Sequence, residues 1–325
     1  MGEEKLKDSF GRVINYLRVS VTDRCNLRCR YCMPERGIEL IPHSEILRYE
    51  EILRVLGIFS YLGLERVRFT GGEPLVRDGF VNFLKDVKKS FPRLLISLTT
   101  NGILLTKYSN ELKSLGLDSL NVSLDTLDPD KYRYITRLGD INDVWEGVKR
   151  FLNEELLVKI NVVAIRGFND DEILDFVNLT KKMRLIVRFI EFMPITKSTW
   201  KKEDFLSADE IKQVIERKYS LTPLGHRIGY GPATYFKLPW GGVIGLIGAI
   251  SHHFCDRCNR IRLTANGRLR TCLFGEKEID LKEAMRRGAD DKELITLIKE
   301  AISLKPLGWF TLERWGDGFM SKIGG

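Results

Sequence analysis

The sequence predicts an α/β protein: a partial (β/α)6 barrel of the TIM type, with a smaller C-terminal region closing its open side. Three observations carry this reading. Short apolar strands alternate with amphipathic helices six times between residues 16 and 193. Most of those strands are polar on one face only. After Met193 the rhythm stops. The expected domains are therefore 1–193, the partial barrel, and 194–325, the closing region.

Strands are expected near 16–21, 66–70, 95–100, 119–124, 157–165 and 186–193. Helices fill gaps near 44–62, 78–89, 106–115, 142–154 and 170–183. Eight such units close a full barrel; six leave one side open. Period-two alternation sorts the strand faces. Arg18 and Ser20 oppose Leu17 and Val19, and Arg66, Arg68 and Thr70 oppose Val67 and Phe69. Ser97 and Thr99 oppose Ile96 and Leu98. Asn121, Ser123 and Asp125 oppose Leu120, Val122 and Leu124, and Lys159 and Asn161 continue the series. Helices must cover the apolar faces. The polar faces then line a lumen where unpaired polar groups are costly, so it should hold a charged ligand. An exposed polar sheet face is the plainer alternative.

Beyond Met193 a helix is expected over 207–219, opened by a capping box of Ser207 and Glu210. Short strands follow, with a hairpin at Asn266 and Gly267 and one helix from about 280 to 302.

Composition narrows the function. The chain has 325 residues, 43% apolar and 30% charged, as globular proteins do. Its most apolar run, residues 241–250, is half the ~20 needed to span a membrane. No basic-then-apolar leader is present. A cytoplasmic protein without a membrane partner is expected. The formal charge of +8 suits an anionic ligand. No block of five like charges and no basic stretch interleaved with aromatics occurs, which argues against nucleic acid.

All six cysteines fall in two triplets, Cys25, Cys29, Cys32 (C-x3-C-x2-C) and Cys255, Cys258, Cys272 (C-x2-C-x13-C). In a reducing compartment such clusters read as metal sites. Zinc and ordinary four-iron clusters take four closed ligands. Each triplet supplies three. An iron–sulfur cube held by three thiolates keeps one iron open to a small chelating molecule. The amine and carboxylate of S-adenosylmethionine would fit there. One electron would then cleave its sulfonium to give a 5′-deoxyadenosyl radical. Zinc remains an alternative for either triplet, more so for the second, where His252 and His253 adjoin Cys255.

The first triplet follows the first strand, with Tyr31 before its last cysteine, and so resembles the radical S-adenosylmethionine superfamily. "TGGEP" (70–74), "TTNG" (99–102), "NVSLD" (121–125) and "EFMP" (191–194) fall at later strand ends in the same way. A closer resemblance is to the molybdenum cofactor biosynthesis protein A family, the GTP 3′,8-cyclases. "DSFGRVINYLRVSVTDRCNLRCRYCMP" resembles that family's opening, "ISHHFCDRCNRIRLTANGRLRTCLF" its second cluster and "MSKIGG" its ending.

The resemblance implies two 4Fe-4S clusters, one on Cys25, Cys29 and Cys32 and one on Cys255, Cys258 and Cys272. It implies S-adenosylmethionine contacts at Tyr31, Gly72, Ser123 and Met193. It implies GTP contacts at Arg18, Arg68, Thr99, Lys159, Arg260 and Arg262, with the guanine on the second cluster's open iron. Arg260, Arg262, Gly324 and Gly325 would serve the cyclisation, in which C3′ of GTP loses hydrogen and bonds C8. A reductant protein and a downstream pyranopterin-forming enzyme would be partners, and a homodimer is compatible. Two other functions are weighed. A peptide-modifying maturase with an auxiliary cluster would usually carry more cysteines in its second region. A zinc-containing RNA-binding protein would need the missing basic–aromatic runs.

Overall fold

The computed structural model describes residues 5–152, 156–195, 199–226, 228–229, 231–313 and 320–323. The chain runs β1 (Tyr16–Ser20), α1 (Tyr49–Tyr61), β2 (Arg66–Thr70), α2 (Phe80–Ser90), β3 (Leu95–Thr100) and α3 (Ser109–Ser114). There follow β4 (Ser119–Ser123), α4 (Pro129–Thr136), α5 (Ile141–Lys149), β5 (Leu157–Ala164), α6 (Ile173–Lys182) and β6 (Ile186–Glu191). Then come α7 (Ala208–Glu216), β7 (Thr222–Pro223), β8 (Thr234–Lys237), β9 (Val243–Ile247), β10 (Arg260–Leu263), β11 (Arg268–Arg270) and β12 (Glu278–Asp280). The described chain ends with α8 (Leu281–Arg286), α9 (Asp291–Ser303) and α10 (Met320–Ile323). The architecture is α/β with a mostly parallel sheet. Among the described residues no helix is long and apolar enough to cross a membrane.

Two compact units form, one from residues 1–26, 32–98 and 255–325, the other from 27–31 and 99–254. In the first, the strand order is β12-β11-β10-β1-β2-β3. β1 is parallel to both β2 and β10, and β11 and β12 turn back antiparallel. In the second, the order is β4-β5-β6-β9-β8-β7, parallel through β9 and antiparallel beyond it. The two parallel additions β9 and β10 come from beyond residue 193, where the sequence reading had only short strands. "VIGLI" in β9 is one continuous apolar run, the mark of a strand covered on both faces.

The apolar faces fall where alternation puts them. Leu17, Val19, Val67 and Phe69 are fully buried in the first unit, as are Leu120, Val122 and Ile160 in the second. Phe69 meets Phe83 of α2 edge-on at 5.5 Å. Each such side chain is worth about 1.5–3 kcal/mol relative to exposure. The box of Ser207 and Glu210 caps α7 as expected. One expectation fails: the helix placed over about 280–302 is two helices. Gly288 takes φ +96, which ends α8, and the Asp290 carboxylate accepts the Glu293 N–H to start α9.

Candidate functional site

The loop after β1 carries the first triplet, and its opening residues are fixed by main-chain packing. The Thr22 carbonyl accepts from Gly72 N–H at 2.7 Å, and the Arg24 carbonyl accepts from Glu73 N–H at 2.8 Å. A Cβ on Gly72 would lie 2.3 Å from the Arg24 carbonyl oxygen, and one on Gly71 2.6 Å from that of Thr22. Only glycine permits this approach. Asp23, buried, accepts from Ile41 N–H at 2.6 Å and pairs with Arg24. All six cysteines are half-buried thiols.

Residues 27–31 of that loop dock on α4. Arg28 N–H donates to the Thr136 carbonyl and Arg30 N–H to that of Ile135. The Tyr31 hydroxyl donates to Asp125 at 2.6 Å, and the other Asp125 oxygen accepts from Val163 N–H at 2.8 Å. Burial pushes the Asp125 carboxyl up to about 6, against the pull of those two hydrogen bonds. Ser123 and Met193, both half-buried, sit at or just past the C-terminal ends of β4 and β6. At the end of β6, buried Glu191 accepts from Ala208 N–H at 2.8 Å, Ile250 N–H at 2.7 Å, Ser251 N–H and the Ser251 hydroxyl. That one carboxylate ties β6, the start of α7 and the segment leading to Cys255.

In the first unit, strand register lines up five arginines and Tyr16 in two rows. Arg260, Tyr16 and Arg66 make one; Arg262, Arg18 and Arg68 make the next. Neighbouring strands are about 4.8 Å apart, so these guanidiniums are held near one another. Burial, then Arg262 and Arg68, hold the Arg18 guanidinium well below its usual range. Burial and Arg260 bring Arg262 down to about 10. Burial alone would push the Tyr16 hydroxyl up, but Arg68, Arg18, Arg260 and Arg66 together hold it below its ordinary value. The buried Arg68 Nε has no hydrogen-bond partner among the described residues. An anion laid across these rows would reverse each penalty.

The second unit contains Thr99, whose buried hydroxyl also has no partner among the described residues, and Lys159, which is buried. Beside Lys159 on β5, Asn161 accepts from Arg188 at 2.9 Å; Arg188 also donates to Asn121 at 2.6 Å. Sequence reasoning missed Arg188, although Asn161 and Arg188 are register partners and alternation along β6 would have placed it. It also missed α4, although Asp128 before Pro129 is a helix-start signature.

Cys255, Cys258 and Cys272 share the first unit with the arginine rows. Burial would push the Cys258 thiol up, but Arg260 and Lys305 beside it bring it down to about 6. At neutral pH it is a thiolate, the species that ligates iron. Cys255 is pushed up, chiefly by burial. Among the described residues no three His, Cys, Asp or Glu side chains converge on one point as a single ion requires. Thiolates that each take a different iron of one cube have no need to converge. His252, one of the two extra ligands in the zinc alternative, lies 2.7 Å from Asp209. The donor set thus fits an iron–sulfur cluster. Gly324 and Gly325 lie outside the described residues. A groove of about 670 Å³ in the first unit is lined by none of these residues. Its cations are already paired, Lys282 with Glu45 and Arg286 with Glu51.

Residues 19–180 match the model of the Radical SAM superfamily, so the class is that of radical S-adenosylmethionine enzymes. Residues 185–311 match the model Molybdenum Cofactor Synthesis C. A GTP 3′,8-cyclase of Desulforamulus reducens is 49% identical over 323 residues, covering 98% of this chain and 99% of its own. One of Thermodesulfovibrio yellowstonii is 50% identical over 307 residues, covering 93% and 95%. The chain belongs to the GTP 3′,8-cyclase family. A crystal structure of Streptococcus suis SuiB shares the fold at TM-score 0.63 and 15% identity, over 87% of this chain and 67% of that one.

Proposed function

We propose that the protein is a radical S-adenosylmethionine GTP 3′,8-cyclase, a lyase acting at the first step of molybdenum cofactor biosynthesis. The carrying observation is the two rows on β10, β1 and β2, in which parallel register lines up Arg262, Arg18 and Arg68 in one row and Arg260 and Arg66 in the next, within the unit that holds the second triplet. A triphosphate matches that charge, and guanidinium forks bind its oxygens in pairs.

Cys25, Cys29 and Cys32 would hold one 4Fe-4S cluster and Cys255, Cys258 and Cys272 another. When bound, the first cluster and S-adenosylmethionine supply the 5′-deoxyadenosyl radical. Tyr31, Gly72, Ser123 and Met193 would contact that cofactor; the missing side chain at Gly72 lets the Arg24 main chain of the first cysteine loop pack against it. Arg18, Arg68, Thr99 and Lys159 hold the triphosphate and ribose. Arg260 and Arg262 hold the nucleotide beside the second triplet. GTP would give up its C3′ hydrogen atom to the 5′-deoxyadenosyl radical, which becomes 5′-deoxyadenosine. C3′ would then bond to guanine C8 as the C8–N7 double bond opens, and one electron from a carrier protein with one proton would quench the radical left on the purine. Residues 1–193 are assigned the radical chemistry and 194–325 the second cluster, with Gly324 and Gly325 near the cyclising nucleotide. The protein acts in the cytoplasm, takes electrons from a carrier protein and passes its product to a pyranopterin-forming enzyme.

The test is anaerobic. The reduced, iron-loaded protein is mixed with S-adenosylmethionine and GTP, ATP, CTP or UTP. Deoxyadenosine and a cyclised nucleotide should form with GTP alone. A colourless protein loaded with zinc would reject the proposal.

A further inference from the structure

Two buried cations clamp the main chain around the second cysteine triplet, and their own neutralisation differs. Arg12 is one. Its Nε donates to the Asp8 carboxylate at 2.5 Å, so its charge is paired. Its other nitrogens donate to the carbonyls of Cys255 at 2.5 Å, Pro306 at 2.6 Å and Leu307 at 2.8 Å. Lys305 is the other, only 4% exposed just after α9. Its ammonium donates to the Arg260 carbonyl at 2.9 Å and the Thr271 carbonyl at 2.6 Å. Arg260 lies two residues after Cys258, and Thr271 immediately precedes Cys272.

Both acceptors of Lys305 are neutral. Among the described residues no carboxylate pairs with it. A buried ammonium without a counter-charge is expensive. Burial does hold Lys305 below its usual range, while Cys258 and Cys272 act in the opposite direction. Its two acceptors follow Cys258 and precede Cys272 in the chain, so a cluster held by those cysteines is the negative charge it faces. A four-iron core with three thiolates is anionic and gains one more negative charge on one-electron reduction. Net charge nearby sets the potential of such clusters.

We propose that Lys305 is a positioning residue for the second cluster whose uncompensated charge favours the cluster's reduced form, whereas Arg12, neutralised by Asp8, only braces the main chain. This rests on the cluster assignment above, and the test separates the two.

Lys305→Gln keeps N–H donors for both carbonyls and removes the charge; Lys305→Arg keeps the charge; Arg12→Met removes the brace. Each full-length protein is reconstituted with iron and sulfide and analysed for iron. It is then titrated with dithionite and mediators and followed by electron paramagnetic resonance, with the first cluster as internal reference. The second cluster of Lys305→Gln should be harder to reduce than in the wild type, and that of Lys305→Arg close to wild type. Arg12→Met should lose about half the iron, and any second cluster retained should titrate as in the wild type. Superimposable curves for Lys305→Gln and the wild type would overturn the proposal. If Lys305→Gln loads no second cluster, restored loading in Lys305→Arg supports the role of charge, and equal loss in Lys305→Arg overturns it. Failure of the wild type to bind a second cluster would instead sink the cluster assignment.

Discussion

The Tyr31 hydroxyl donates to the buried Asp125 carboxylate across 2.6 Å, joining the first cysteine loop to the end of β4. The same carboxylate holds Val163 N–H of β5, and Asn169 donates to the Asp125 and Val163 carbonyls. The loop is thus anchored to the strand ends through one side chain. Tyr31→Phe leaves Asp125 buried with a single main-chain donor. We expect a loss of about 1–3 kcal/mol in unfolding free energy, the cost of a buried polar group left short of a partner. Urea denaturation of the metal-free protein measures it. Unchanged stability would show that the contact contributes nothing.

The same carboxyl gives a pH dependence of known sign. Its folded pKa, about 6, lies above the ordinary aspartate value of 3.8 because of burial. The folded state then holds its proton where the unfolded chain has lost it. This contribution to stability is fully present below about 4 and declines as pH rises to about 6, by at most about 3 kcal/mol. Asp125→Asn should remove that part of the pH slope. Parallel unfolding curves of both proteins at pH 4.5 and 7 would contradict the assignment.

Arg262→Ala should weaken GTP binding by about 1.5–3 kcal/mol, the range for a charged hydrogen bond lost from a closed site. S-adenosylmethionine affinity should hardly change. Calorimetry with each ligand decides, since equal losses for both would make Arg262 a structural arginine.

The two triplets should lose metal independently. Cys29→Ala should halve the iron and abolish S-adenosylmethionine cleavage. Cys258→Ala should also halve the iron, yet leave some uncoupled cleavage without cyclised product. Loss of all iron from a folded single variant would refute two separate sites.

Much of this was legible because its physics is local. Alternation placed Arg18, Arg68 and Arg262 on one strand face each, and parallel register then brought them into one row. Capping chemistry placed α7. What escaped depends on long-range pairing. Nothing within "RIRL" says that it joins β1, whose register partners lie 244 residues earlier in the chain. The Asp125–Tyr31 contact spans 94 residues and has no sequence pattern of its own. The break at Gly288 was in principle visible, but the apolar periodicity on either side masked it.

Arg12 and the Leu307 carbonyl it holds are 295 residues apart. At roughly 5–20 residues per second, a ribosome makes the first of them about 15–60 s before the second. The early cysteine loop is therefore complete while most of the chain is still unmade. The late one waits for residues 305–307 before its clamp can close. Maturation consequently has a built-in order: the later cradle takes shape only near the end of synthesis, and iron delivered sooner meets three unorganised thiols.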